Sequence, residues 1–154
     1  MPLLPALTDA ATRDALIARF EALRPDAPRQ WGKMNVTQML WHVAEAYRAA
    51  LGDVNAGDQS NWFMRNVVRR IAFYAPMAWP KNGPTLPRFN AVRQQASIDP
   101  DFPRLQAELI TLVRRFSSWQ GEGHPHPAFG PLTQDEWQHW GWRHADHHLR
   151  QFAS

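Results

Sequence analysis

The chain has 154 residues with no Cys, 7 His, 8 Trp and 13 Pro, and a formal net charge of +3. That length suits one domain that buries a core without cross-links, and the absence of Cys excludes disulfide frameworks, cysteine–zinc modules and cysteine nucleophiles. With 44% hydrophobic and 20% charged residues, the composition also excludes wholesale disorder.

Five segments read as helices and none as a strand. The first runs from Asp9 to Leu23, entered through Thr8 or Asp9 and stopped by Pro25. The second starts at an Asn35 N-cap with Gln38 three residues later, and its apolar positions Val36, Leu40, Val43, Tyr47 and Leu51 keep a helical period up to Gly52. The third, Asn61 to Tyr74, carries Phe63, Val67, Ile71 and Tyr74 on one stripe. The fourth, Asp101 to Trp119, repeats Phe102, Leu105, Leu109, Leu112, Val113 and Phe116 at helical spacing, and the fifth opens on the capping box Thr133 to Glu136 and runs to Phe152. Between them lie a long loop rich in Pro, Asn and Gly, Pro76 to Ile98, and a shorter one, Gly121 to Leu132, containing His124-Pro125-His126-Pro127. The economical architecture is a single all-α domain over residues 1–154, a four-helix bundle with one accessory helix.

The basic excess is nearly all arginine, and its densest patch is Arg65, Arg69 and Arg70. No aromatic-interleaved basic loop or zinc-finger spacing accompanies that patch, which argues against nucleic acid as a partner. The stretch Met1 to Pro5 lacks the basic and apolar regions of a signal peptide, and the most apolar internal run, Ile71 to Trp79, is broken by Pro76. A soluble cytoplasmic protein with no membrane partner is the expectation.

The histidines separate by position. On a wheel of about 100° per residue centred on Trp137, His144 falls near −20° and His148 near +20°, with Trp140, Gly141, Gln151 and Phe152 on the same side. His147 lies about 80° off, at the margin. The opposite side holds Asp135, His139, Arg143, Asp146 and Arg150 and is expected to face water. Two imidazoles four residues apart on an inward face can converge on one metal ion, although two core histidines bonded to carbonyls or water fit the same pattern. His42, beside Ala46 and Ala49 on the second helix, is the candidate third ligand. Glu45, one turn further on, could orient a ligand or contribute a carboxylate. His124 and His126 could line the entrance to such a site, and Trp137, Trp140 and Trp41 could wall it, with plain packing an equal reading for each tryptophan.

These same residues carry a resemblance. The run His126-Pro127-Ala128-Phe129-Gly130-Pro131-Leu132-Thr133, then Glu136-Trp137, then His144-Ala145-Asp146-His147-His148-Leu149-Arg150-Gln151-Phe152, resembles the DinB-like superfamily and within it a subset of unknown function. Met34 to His42 and Pro80 to Thr85 extend the similarity over nearly the whole chain. The resemblance implies an up-down-down-up bundle and a divalent transition metal (Zn, Ni, Fe or Mn) on His42, His144 and His148. His147, Glu45, Gln151, His126 and Trp137 are then expected around the ligands or on the substrate side. It favours a homodimer and a metal-dependent enzyme for a small-molecule substrate, a transferase using a low-molecular-weight thiol as co-substrate; three neutral imidazoles with an open coordination position would equally support a hydrolase. A non-catalytic metal- or small-molecule-binding module of the stress response is the other reading. Without Cys in the chain, any thiolate must come from that co-substrate.

Overall fold

The computed structural model describes residues 4–120 and 124–154. It is all-α: α1 (Ala10–Ala22), α2 (Val36–Ala50), α3 (Arg69–Tyr74), α4 (Phe102–Ser118) and α5 (Gln134–Gln151), with no strand among the described residues. The helix starts follow from local chemistry. Asp9, Asn35, Asp101 and Thr133 each accept a backbone N–H in the first turn, and Asn35–Gln38 and Thr133–Glu136 form reciprocal capping boxes. None of these helices is long and apolar enough to cross a membrane.

Contacts made by the helices and their flanking residues give the helix directions. Leu7 N–H donates to Gln138 O and Arg19 pairs with Asp146, so α1 and α5 run parallel. Tyr47 O–H donates to Gly141 O while His42 meets His148, so α2 is antiparallel to α5. Arg48 pairs with Glu108 and Asp53 with Arg115, which makes α2 and α4 parallel. Gln138 donates to Phe116 O and Gln134 to Trp119 O, so α4 is antiparallel to α5. The order is up, down, down, up. Leu16 and Phe20 of α1, Leu40, Val43 and Tyr47 of α2, Leu109, Val113 and Phe116 of α4, and Trp140 and Leu149 of α5 fill the centre.

Parallel neighbours cannot be joined by a tight turn. The chain leaving α2 must travel back along the bundle, roughly 22 Å for a helix of this length, before α4 begins. That crossover contains a π-turn at Met64–Val68, α3, and 3₁₀ turns at Pro87–Phe89 and Gln95–Ser97. It differs from the sequence expectation in the face that its helical segment presents. The stripe expected to face inward is largely outside, with Phe63, Ile71 and Tyr74 more than half exposed while Phe73 is buried. A π-turn at Met64–Val68 interrupts the regular register of this segment, and its inward contact is made by Phe73, which packs on Phe129 and His139. Within the long loop Phe89, Ala91 and Ile98 are buried, and the 3₁₀ turn that contains Phe89 packs on α2.

The expected wet face of α5 is the second correction. His139 and Asp146 are buried. His139 Nδ1 lies 2.7 Å from Pro5 O and its Nε2 lies 3.1 Å from Phe73 O, and Asp146 accepts from both Arg19 and Arg150. Arg143 is half-buried, packs over Trp79 and donates to Met77 O. The reason is topological. The N-terminal segment and the crossover cover flanks of α5 that a simple bundle would leave to solvent, so polar residues there bond to protein instead of water.

Candidate metal centre

α2 and α5 cross so that three imidazoles meet. Ring centroids lie 5.3 Å apart for His42 and His144, 4.6 Å for His42 and His148, and 4.8 Å for His144 and His148. One nitrogen from each lies within 4.8 Å of the others. His42 and His148 are buried and His144 is half-buried.

Two of the three rings are held by partners outside the cluster. His42 Nδ1 lies 2.7 Å from Phe89 O, a carbonyl that can only accept, so Nδ1 carries the proton and Nε2 keeps its lone pair. His148 Nδ1 lies 3.0 Å from Gln151 Oε1, and Gln151 Nε2 donates to Trp31 O at 3.0 Å. The Gln151 amide is thereby fixed with its oxygen toward His148, which sets the same tautomer there. Gly32 makes this possible: at φ +83° it occupies a conformation that favours glycine, and a Cβ there would lie 2.5 Å from Gln151 Nε2. His144 stacks on Trp140 at 5.2 Å, and its Nδ1 is buried without a hydrogen-bond partner among the described residues.

Burial pushes all three histidines below their ordinary pKa. Mutual repulsion adds to the effect, on His144 from His148 and His42, and on His148 from His42; the Phe89 carbonyl and Gln151 oppose it only in part. The cluster is therefore neutral at pH 7, the state a metal ligand needs. The donor set fits a divalent transition ion: three neutral nitrogens close enough for small side-chain rotations to bring them to a bond length of about 2.0–2.1 Å, two with ordered outer partners and one with an orphaned buried nitrogen.

The open side of the cluster is a cavity of about 850 Å³, lined by all three histidines. That volume lies within the range of small-molecule sites. Its walls are mainly apolar, with Trp137 and Trp140 from α5, Val68, Ile71 and Ala72 from the start of the crossover, and Trp79, Leu86 and Phe89 from its later part. The expected flanking residues divide. Gln151 touches His148, Trp137 and His126 line the cavity, and His147 lines it between Trp31 and Trp79. Glu45 does not belong. Its carboxylate pairs with Arg48 at 2.8 Å, and Arg48 bridges to Glu108 on α4. Three residues after His42, Glu45 sits about 60° round the helix on the flank that meets α4. His124 packs against Gly52 and lines the cavity.

Several contributors were invisible in the sequence. The carbonyls of Phe89 and Trp31 act through their backbone, which any residue type supplies, and Trp79 and Arg143 reach the cavity only because the crossover folds back over α5. The arginine patch also reads differently in three dimensions: Arg65 pairs with Asp58, and Arg69 grips Glu136 with two nitrogens.

Fold and site together define an all-helical protein with a buried three-histidine cluster, able to hold a metal ion, at the floor of an apolar cavity. The chain belongs to the family described as Protein of unknown function (DUF1569), whose model matches residues 7–154. No curated protein and no solved structure matches it significantly.

Proposed function

We propose that the protein is a DinB-like metal-dependent enzyme acting on an apolar small molecule, either as a thiol-dependent transferase or as a hydrolase. The observation that carries this reading is the convergence of three neutral histidines whose free side opens onto a large apolar cavity. Three protein ligands with room for a fourth distinguish catalytic from structural metal sites. A divalent ion bound there supplies Lewis acidity, which eases loss of a proton from a water or a thiol at neutral pH.

The chain's own residues have definable parts. Phe89 O and Gln151 hold His42 and His148 in the tautomer that leaves Nε2 free. Trp79, Trp137 and Trp140 keep the surroundings dry, which strengthens every polar interaction inside. His147, pushed below its ordinary pKa by burial, is neutral at pH 7 and stands beside His148 at 5.1 Å between ring centroids. In this reading His147 takes the proton released by the nucleophile.

Metal analysis of protein purified without chelator tests the site. Wild type should carry close to one equivalent, and His144→Ala and His148→Ala should lose it; equal content in all three removes the centre. Turnover of a panel of electrophiles with and without added low-molecular-weight thiol separates transferase from hydrolase. A folded, metal-loaded protein that turns over nothing in either condition leaves the binding-module reading instead.

A further inference from the structure

The cavity contains a second built polar group that the metal reading does not use. His126 sits in the loop before α5, where its backbone N–H and C=O both bond to Gly130, each at 2.9 Å. Gln59 N–H donates to Pro127 O at 2.9 Å and ties this loop to the crossover. Gly130 is at φ +70°, and a Cβ there would lie 2.7 Å from Arg65 Nε, so the turn closes tightly against the arginine. Phe129 stacks on the imidazole at 4.6 Å, with Trp137 at 5.6 Å and the edge of Trp140 at 5.3 Å. The ring is clamped.

Its tautomer is clamped as well. His126 Nδ1 faces two backbone N–H groups, Ala128 at 3.1 Å and Phe129 at 3.2 Å. Both can only donate, so Nδ1 must accept and the proton must sit on Nε2. The imidazole cannot readily become cationic either, since burial pushes it down to about 3. Nε2 has no hydrogen-bond partner among the described protein groups, and the half-buried side chain lines the cavity. One indole, Trp140, separates it from His144, and His126 lines the same cavity as the histidine cluster.

We infer that His126 presents a fixed, neutral Nε2–H donor to the ligand, and that the cavity selects apolar molecules bearing a hydrogen-bond acceptor such as a carbonyl oxygen. The inference deepens the reading of the cavity as a ligand site but does not depend on a metal. A donor held in place before binding needs no reorganisation, and in an apolar wall one unmatched N–H discriminates against pure hydrocarbons.

The test pairs acetophenone with ethylbenzene, similar in shape and differing chiefly in the carbonyl. Long-range ¹H–¹⁵N spectra of histidine-labelled protein should show His126 as the Nε2–H tautomer, with Nε2 shifting on addition of acetophenone and not of ethylbenzene. His126→Asn keeps an acceptor for the two backbone N–H groups and removes the cavity donor, so the ratio of the two Kd values should move about tenfold toward ethylbenzene. His126→Gln, which carries an amide N–H at the Nε2 position, should restore most of that ratio. An Nδ1–H tautomer in the wild type, an unchanged ratio in His126→Asn, or no binding of either compound at millimolar concentration overturns the inference. Running the series before and after chelation separates it from the metal reading: a protein that takes up no metal yet shows the His126-dependent ratio loses only the latter.

Discussion

At the residue scale, the features that orient the cluster lie outside it. Gln151 is the clearest case, since its amide links the Trp31 carbonyl to His148 and thereby decides which nitrogen faces the other two rings. Replacing it with Leu keeps comparable bulk but removes both bonds. Zn(II) affinity, measured by chelator competition, is expected to fall about 10–100-fold while the helical circular dichroism stays unchanged. Unaltered affinity would mean that His148 is oriented by packing alone. The sequence pattern placed Gln151 on the inward side of the helix, but nothing in it identified Trp31 O as the partner, because a backbone carbonyl has no residue signature.

At the element scale, α5 is the organiser. It contacts α1, α2, α3 and α4, carries two of the three clustered histidines, and approaches α4 at Gly141. A Cβ at Gly141 would lie 2.6 Å from Phe116 Cε1 and 3.1 Å from Leu7 Cδ1, and Phe116 is itself packed by Tyr47, Trp119 and Trp140. Gly141→Ala therefore sets two effects against each other: a gain in helix propensity of about 1 kcal/mol and an overpacking cost of about 1–3 kcal/mol. Because the Phe116 ring is enclosed on several sides, overpacking is expected to win. Urea unfolding should show a net loss of up to about 2 kcal/mol, and a stabilised variant would show that α4 can shift outward at little cost. The capping residues and periodicities of α1, α2, α4 and α5 were legible to within a residue or two, since caps and apolar spacing are local properties. The face of the third helical segment was not. A π-turn breaks the assumption of a constant register, and its hydrogen bonds leave no mark in the order of residue types.

At the scale of the whole molecule, topology and site are connected. Two parallel neighbouring helices demand a long crossover, and the crossover roofs the histidine cluster with Trp79, Leu86 and Phe89. Burial of the cluster then makes stability depend on pH. His42, His144, His148 and His126 all have folded pKa values below the ordinary 6.5, so the unfolded chain binds more protons as pH falls through that value. Stability of the metal-free protein is expected to be flat above about pH 7 and to fall between about pH 6.5 and 5, above the range where carboxylates titrate. Thermal melts across that interval check it; a constant Tm would mean that the buried rings accept protons without penalty. Bound metal should raise Tm and steepen the dependence, because protons and metal compete for the same nitrogens.

The sequence by itself determined an all-helical chain, the limits of the four long helices, and a pair of histidines stacked one turn apart on the inward side of the last helix. These follow from capping chemistry and from a fixed 3.6-residue period, both readable within a few residues. Only the tertiary structure decided that His42 meets that pair, that Glu45 turns away to Arg48, that His139 and Asp146 are buried, and that His126 lines the same cavity as the cluster. Apart from Glu45, which turns toward α4, each depends on which element covers which flank of α5. Coverage is set by the crossover and the N-terminal segment, whose contacts are long-range and largely made through backbone groups that every residue shares.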